Sequence, residues 1–163
     1  MGRGRCRVRR AGRVSGRGTT GMEHRNLGRS GLRVSAIGLG CNNLGGRCDA
    51  EASRAVVHAA LDAGITLFDT ANVYPMGARG RSEEILGALL GPRRRDVVIA
   101  TKVGVPMDGG RLGGASRRTI IAAVEDSLRR LGTDWIDHYQ LHRFDPLTPI
   151  EETLRALDDL IRQ

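Results

Sequence analysis

Residues 65–102 read ITLFDTANVYPMGARGRSEEILGALLGPRRRDVVIATK. The stretch opens on a short apolar run, Ile65-Thr66-Leu67-Phe68, that ends on Asp69. A loop follows over 70–81 and contains Tyr74. Ser82 with Glu83 and Glu84 then predicts a capped, acidic first turn for the helix SEEILGALL, which Gly91-Pro92 stops. A second apolar run, Val97-Val98-Ile99-Ala100-Thr101, ends on Lys102. Short apolar strands joined by an amphipathic helix mean parallel strands buried on both faces, with a right-handed crossover.

The same unit recurs on both sides of this stretch. Upstream, Val34–Gly40 predicts a strand ended by glycine, and 49–63 predicts a helix capped by Asp49 and stopped by Gly64. Before them, 23–34 predicts a small hairpin turning at Gly28-Arg29-Ser30-Gly31. Downstream, a Gly-rich loop over 104–114 leads to a helix over 117–131, started by Ser116 and stopped by Gly132. Residues 135–142 predict a fourth strand and 150–162 a last helix. The order is a hairpin and then four βα units, an α/β fold. Two architectures compete: a doubly wound open sheet, or part of a (β/α)8 barrel. The first strand–helix turn, Gly38-Leu39-Gly40-Cys41-Asn42-Asn43, lacks the third glycine of a dinucleotide fingerprint and runs into a long loop, which disfavours the open sheet.

The charge is unevenly spread. Of 26 Lys and Arg residues, seven are arginines within residues 1–21, where there is no acid. Residues 22–163 therefore carry 19 cations against 18 anions, which gives no case for nucleic-acid binding by the globular part. The Arg/Gly-rich start lacks the apolar region of a secretory signal, and its glycines would spoil an amphipathic transit helix. It reads as a disordered leader outside the domain, either non-native or a nucleic-acid-binding tail. Three cysteines without a CxxC pair make a disulfide or zinc framework unexpected, and a reducing cytoplasm fits. No apolar run is long enough to span a membrane.

Lys102 is the only lysine beside 25 arginines, and it sits at the carboxyl end of a strand. Asp69, Tyr74 and His142 fall at or just beyond the carboxyl ends of neighbouring strands. In a parallel βα fold those ends share one side, where active sites lie. Each residue alone has a bland reading: Asp69 could cap a turn, Tyr74 could be a rim aromatic, and His142 a satisfied core histidine. As a set they form an acid–base group. Asp beside Lys makes an ion pair, a cation beside a phenol favours phenolate, and such a phenol can pass a proton to a carbonyl oxygen.

With those residues in place, the chain resembles the aldo-keto reductase superfamily. The resemblance rests on Asn26-Leu27-Gly28-Arg29-Ser30-Gly31-Leu32-Arg33-Val34-Ser35, Ile37-Gly38-Leu39-Gly40, Phe68-Asp69-Thr70-Ala71-Asn72-Val73-Tyr74, Ser82-Glu83-Glu84-Ile85-Leu86-Gly87 and Ile99-Ala100-Thr101-Lys102. It continues through Ser127-Leu128-Arg129-Arg130-Leu131-Gly132-Thr133-Asp134 and Asp137-His138-Tyr139-Gln140-Leu141-His142. It implies a partial TIM (β/α)8 barrel over 22–163, an amino-terminal hairpin plus about four βα units. It also implies reduction of a small-molecule carbonyl with NADPH. Tyr74 would be the general acid, Lys102 paired with Asp69 would ease its proton loss, and His142 would orient the carbonyl. Gly40, Cys41, Asn42 and Asp69 would contribute to the NADPH/NADP site. No metal is expected.

Two departures qualify these expectations. The family's barrel needs roughly twice this length, and its second half supplies most of the cofactor site. The loop Pro75-Met76-Gly77-Ala78-Arg79-Gly80-Arg81-Ser82 is longer than is usual before the Ser-Glu pair. Four parallel strands leave two unpaired edges, so self-association through them is expected. A non-catalytic binding or regulatory protein on the same scaffold is the alternative, since potassium-channel β subunits resemble this part of the family too.

Overall fold

The computed structural model describes residues 21–107 and 113–163. The leader expected over 1–21 lies, but for its last residue, outside the described residues. Strands β1 (His24–Asn26) and β2 (Arg33–Ser35) pair antiparallel, with His24 opposite Ser35. Gly28 supplies the left-handed turn between them, at φ 57°.

Four parallel strands follow in spatial order β3 (Gly38–Gly40), β4 (Leu67–Asp69), β5 (Val98–Val103) and β6 (His138–Leu141). Helices α1 (Ala50–Asp62), α2 (Arg81–Leu90) and α3 (Arg117–Leu131) make the crossovers, and α4 (Ile150–Arg162) follows β6. This is the expected α/β architecture of a partial barrel.

Three boundaries differ from expectation. The run Val34–Gly40 is split between β2 and β3 at Ala36-Ile37, because Ser35 is drawn into a reciprocal bond pair with Thr66. Ser35 N donates to Thr66 Oγ1, and Thr66 N donates to Ser35 Oγ, each at 2.8 Å. That pair fastens the hairpin to the segment leading into β4. The fourth strand begins at His138 rather than Trp135. Asp137 leaves the ladder to accept from the Ile99 amide at 2.9 Å and to pair with Arg94 at 2.8 Å. Arg94 stacks 4.3 Å from the Trp135 ring centroid, within a short 3-10 segment, Gly91–Asp96, that the sequence did not announce.

The third difference is the start of α2. Its N-cap is Gly80, at φ 85°, and Ser82 lies inside the first turn with its hydroxyl turned elsewhere. The other caps agree with the sequence. Asp49 Oδ1 accepts from Ala52 N at 2.9 Å, Ser116 Oγ accepts from Thr119 N at 3.3 Å, and Gly132 closes α3 in the left-handed region.

The main core lies between the sheet and the helices, with Phe68 and Ile99 from the strands against Val57, Leu86, Leu90 and Leu131. Gly87 lets α2 touch α3: a Cβ there would stand 2.3 Å from the Leu131 carbonyl oxygen. A second cluster joins Val103, Ile120, Ala123 and Ala156. Beyond β6 the structure is open. A groove of about 760 Å³ is bordered by Trp135, Ile136, Tyr139, Leu157, Leu160 and Ile161. None of the helices among the described residues is long and apolar enough to cross a membrane.

Candidate active site

Strand register decides which side chains meet. Gly40, Asp69 and Ala100 stand level across β3, β4 and β5. Lys102 is two residues farther along, on the same face as Ala100 because side chains alternate. Its flexible stem can therefore bend back to Asp69. Lys102 Nζ is bonded to Asp69 Oδ1 and donates to the Thr70 carbonyl at 2.7 Å. Lys102 is 7% exposed, so the pair is screened by protein from one side. Asp69 stays half-exposed.

Tyr74 leaves the loop after β4 and meets His142, the first residue beyond β6. Tyr74 Oη lies 3.3 Å from His142 Nε2, and the rings stand edge to face, with centroids 5.4 Å apart at 88°. Lys102 Nζ lies 5.2 Å from the Tyr74 ring centroid. All four residues expected to act together, Asp69, Tyr74, Lys102 and His142, are thus gathered on the carboxyl side of the sheet.

Burial lowers the proton affinity of His142, and the positive charges of Lys102 and Arg143 lower it further, against an opposing pull from Asp69. The imidazole is held neutral. Its Nδ1 is buried without a hydrogen-bond partner. A proton there would be a buried donor with no acceptor, so the tautomer protonated at Nε2 is favoured. That N–H faces the Tyr74 oxygen.

The expected cofactor contacts differ in what they offer. Gly40 is exposed, and a Cβ built on it would meet nothing within 4 Å, so the backbone there lies open. Asn42 is exposed beside it. Cys41 is fully buried, and burial with the neighbouring Asp69 carboxylate pushes its thiol up to about 12. Its N–H donates to the Asp69 carbonyl at 2.8 Å, and its own carbonyl accepts from Ser82 Oγ at 2.7 Å. Cys41 can therefore serve a ligand only by shaping the loop. Open backbone, an amide and a carboxylate oxygen at strand ends fit the uncharged part of a nucleotide-type cofactor. No group of three or more His, Cys, Asp or Glu among the described residues could hold a metal.

Sequence reasoning missed two supports of the site. Thr70, next to Asp69, gives its carbonyl to Lys102. Glu83, fully buried, accepts from Thr101 Oγ1 at 2.6 Å and pairs with Arg130 at 2.7 Å. The only sign of Glu83 was its place in an acidic first turn, which equally describes a solvated carboxylate.

The aldo/keto reductase family model matches residues 36–163. A probable voltage-gated potassium channel subunit beta from Oryza sativa subsp. japonica is 43% identical over 144 residues, which is 86% of this chain and 43% of the relative. Aldo-keto reductase YhdN from Bacillus subtilis (strain 168) is 42% identical over 146 residues, again 43% of its length. The holo form of aldo-keto reductase AKR11C1 from Bacillus halodurans superposes with a TM-score of 0.77 at 42% identity, covering 86% of this chain and 47% of that one. The chain spans less than half the length of the curated relatives it matches. Within that span, it belongs to the aldo/keto reductase family.

Proposed function

We propose that this chain carries the proton-donating half of an NADPH-dependent carbonyl reductase, acting on an aldehyde or ketone in the cytoplasm. The observation that carries the reading is the meeting of Tyr74 Oη with His142 Nε2 at 3.3 Å, above the Lys102–Asp69 pair.

The carbonyl oxygen of the substrate would accept a hydrogen bond from Tyr74 Oη and another from the neutral His142 Nε2–H. Oη and Nε2 stand 3.3 Å apart, so one carbonyl oxygen seated between them would accept from both once the Nε2–H turns from Tyr74 to it, which fixes the oxygen and makes its carbon more electrophilic. When bound, the nicotinamide cofactor supplies the hydride that this carbon receives. Tyr74 gives its proton to the oxygen, and the C=O becomes CH–OH. The phenolate left behind faces the Lys102 ammonium, which stabilises it. Asp69 holds that ammonium in place. Gly40, Asn42 and Asp69 would hold the cofactor's edge at the strand ends, with Cys41 shaping their loop.

A purely binding role on the same scaffold would need neither the Tyr74–His142 contact nor a buried lysine beneath it. Chemistry is therefore favoured. The test is label transfer: NADPH deuterated at the transferring carbon is incubated with the whole protein and a small aldehyde. The proposal expects deuterium on the former carbonyl carbon of the alcohol. Aldehyde returned unlabelled, with the cofactor intact, contradicts it.

A further inference from the structure

Ser82 is fully buried in the first turn of α2 and bonds in three directions. Its hydroxyl donates to the Cys41 carbonyl at 2.7 Å. A hydroxyl has one proton, so the 2.9 Å contact between Ser82 Oγ and Thr70 Oγ1 is donated by Thr70. The Ser82 backbone N–H donates to the Tyr74 carbonyl at 3.0 Å.

Each of these partners adjoins a group of the proposed reaction. Thr70 gives its carbonyl to Lys102 Nζ, and its N–H donates to the Ala100 carbonyl at 2.8 Å. The Cys41 N–H reaches the Asp69 carbonyl. The bonds form one continuous path, Asp69 to Cys41 to Ser82 to Thr70 to Lys102, and Tyr74 hangs from the Ser82 amide. Cys41, Ser82 and Thr70 are all fully buried. Satisfied polar networks in such surroundings are rigid, because breaking one bond leaves unpaired groups away from water. A helix cap would spend the hydroxyl on a backbone N–H of its own turn. Here it ties together the loops after β3 and β4.

We infer that Ser82 is a positioning residue for carbonyl reduction, setting the place of Tyr74 over the Lys102–Asp69 pair; this rests on the reading of Tyr74 as proton donor. Ser82 touches no substrate. It fixes the relative position of two loops that would otherwise drift apart, and misplacement of a donor lowers the rate without changing substrate affinity.

The test compares Ser82→Ala and Thr70→Val in the whole protein, with Glu84→Ala as the control. Glu84 shares the turn but pairs only with surface Arg81. Two readouts are taken, steady-state kinetics and the nuclear Overhauser effect between the Tyr74 and His142 rings. Ser82→Ala is expected to lower kcat by about tenfold or more, with KM within about twofold, and to weaken the ring contact. Thr70→Val should act in the same direction but less, Ser82→Thr should restore most of kcat, and Glu84→Ala should change neither readout. If Ser82→Ala does not fold, Thr70→Val decides the matter on the same two readouts. Variants that melt earlier but keep kcat and the ring contact overturn the inference. If Tyr74→Phe retains wild-type turnover, the reading of the reaction has failed, and the ring contact alone still tells whether Ser82 sets the geometry.

Discussion

Tyr74 and His142 are 68 residues apart in the chain, yet Tyr74 Oη and His142 Nε2 stand 3.3 Å apart. The contact exists because both residues lie just beyond the carboxyl ends of strands in one parallel sheet. Neither is in a strand itself. The loop carrying Tyr74 is pinned by Ser82, and His142 N is tied to the Val103 carbonyl at 2.7 Å.

His142 should titrate below the ordinary histidine range, since burial and the nearby Lys102 and Arg143 charges all disfavour its cation. Its folded value is lower than its unfolded one, so the unfolded chain binds the proton more readily. This contribution to stability is therefore complete above the unfolded value of about 6.5. It is lost as pH falls from there toward the lower folded value. Proton NMR of the His142 ring checks the direction, and Lys102→Met should raise the midpoint. A midpoint above the ordinary range would contradict the electrostatic account.

Glu83 and Arg130 form an ion pair with the carboxylate fully buried. Removing one partner of such a pair leaves an uncompensated charge and costs about 3–5 kcal/mol. Arg130→Ala should therefore lower the urea midpoint sharply. Restoring an uncharged partner at the other side, as Arg130→Met with Glu83→Gln, should recover much of the loss. Equal midpoints for Arg130→Ala and the double variant would show that the charge was never the problem.

Strands β3 and β6 each pair on one side only among the described residues, and β6 borders the apolar groove above α4. Ile161 is 84% exposed and Leu154 57%. A free polypeptide of these 163 residues should therefore associate with further copies through those edges. Light scattering behind a sizing column measures this. A single cooperatively melting monomer across the concentration range would contradict it.

The alternation of elements could be read from the sequence because each helix carries its own stop or cap. Asp49, Ser116 and Gly132 act within a turn of where they stand, and local rules describe them well. Lys102 was conspicuous by composition, and its position two residues beyond the Asp69 level follows from strand register alone. What could not be read were the long-range claims on ordinary residues. Ser82 looks like a cap, but its hydroxyl is taken by Cys41, 41 residues away. Ser35 looks like one position in an unbroken apolar run, but Thr66 captures it and ends the strand. Arg94 sits among three successive arginines, and only its approach to Trp135 and Asp137 separates it from its exposed neighbours. Local pattern fixes where strands and helices fall. Partners brought by the fold decide what a side chain at a boundary does.

The most direct test of the account replaces the one oxygen that it asks to give up a proton. Tyr74→Phe keeps the ring, its edge-to-face packing on His142 and its place above Lys102, and removes only Oη. In the whole protein, turnover of a small aldehyde with NADPH should fall by about a hundredfold or more, the range over which positioned proton donors act, while NADPH binds by calorimetry as before. Turnover equal to that of the unaltered protein would contradict the assignment of Tyr74 as the proton donor.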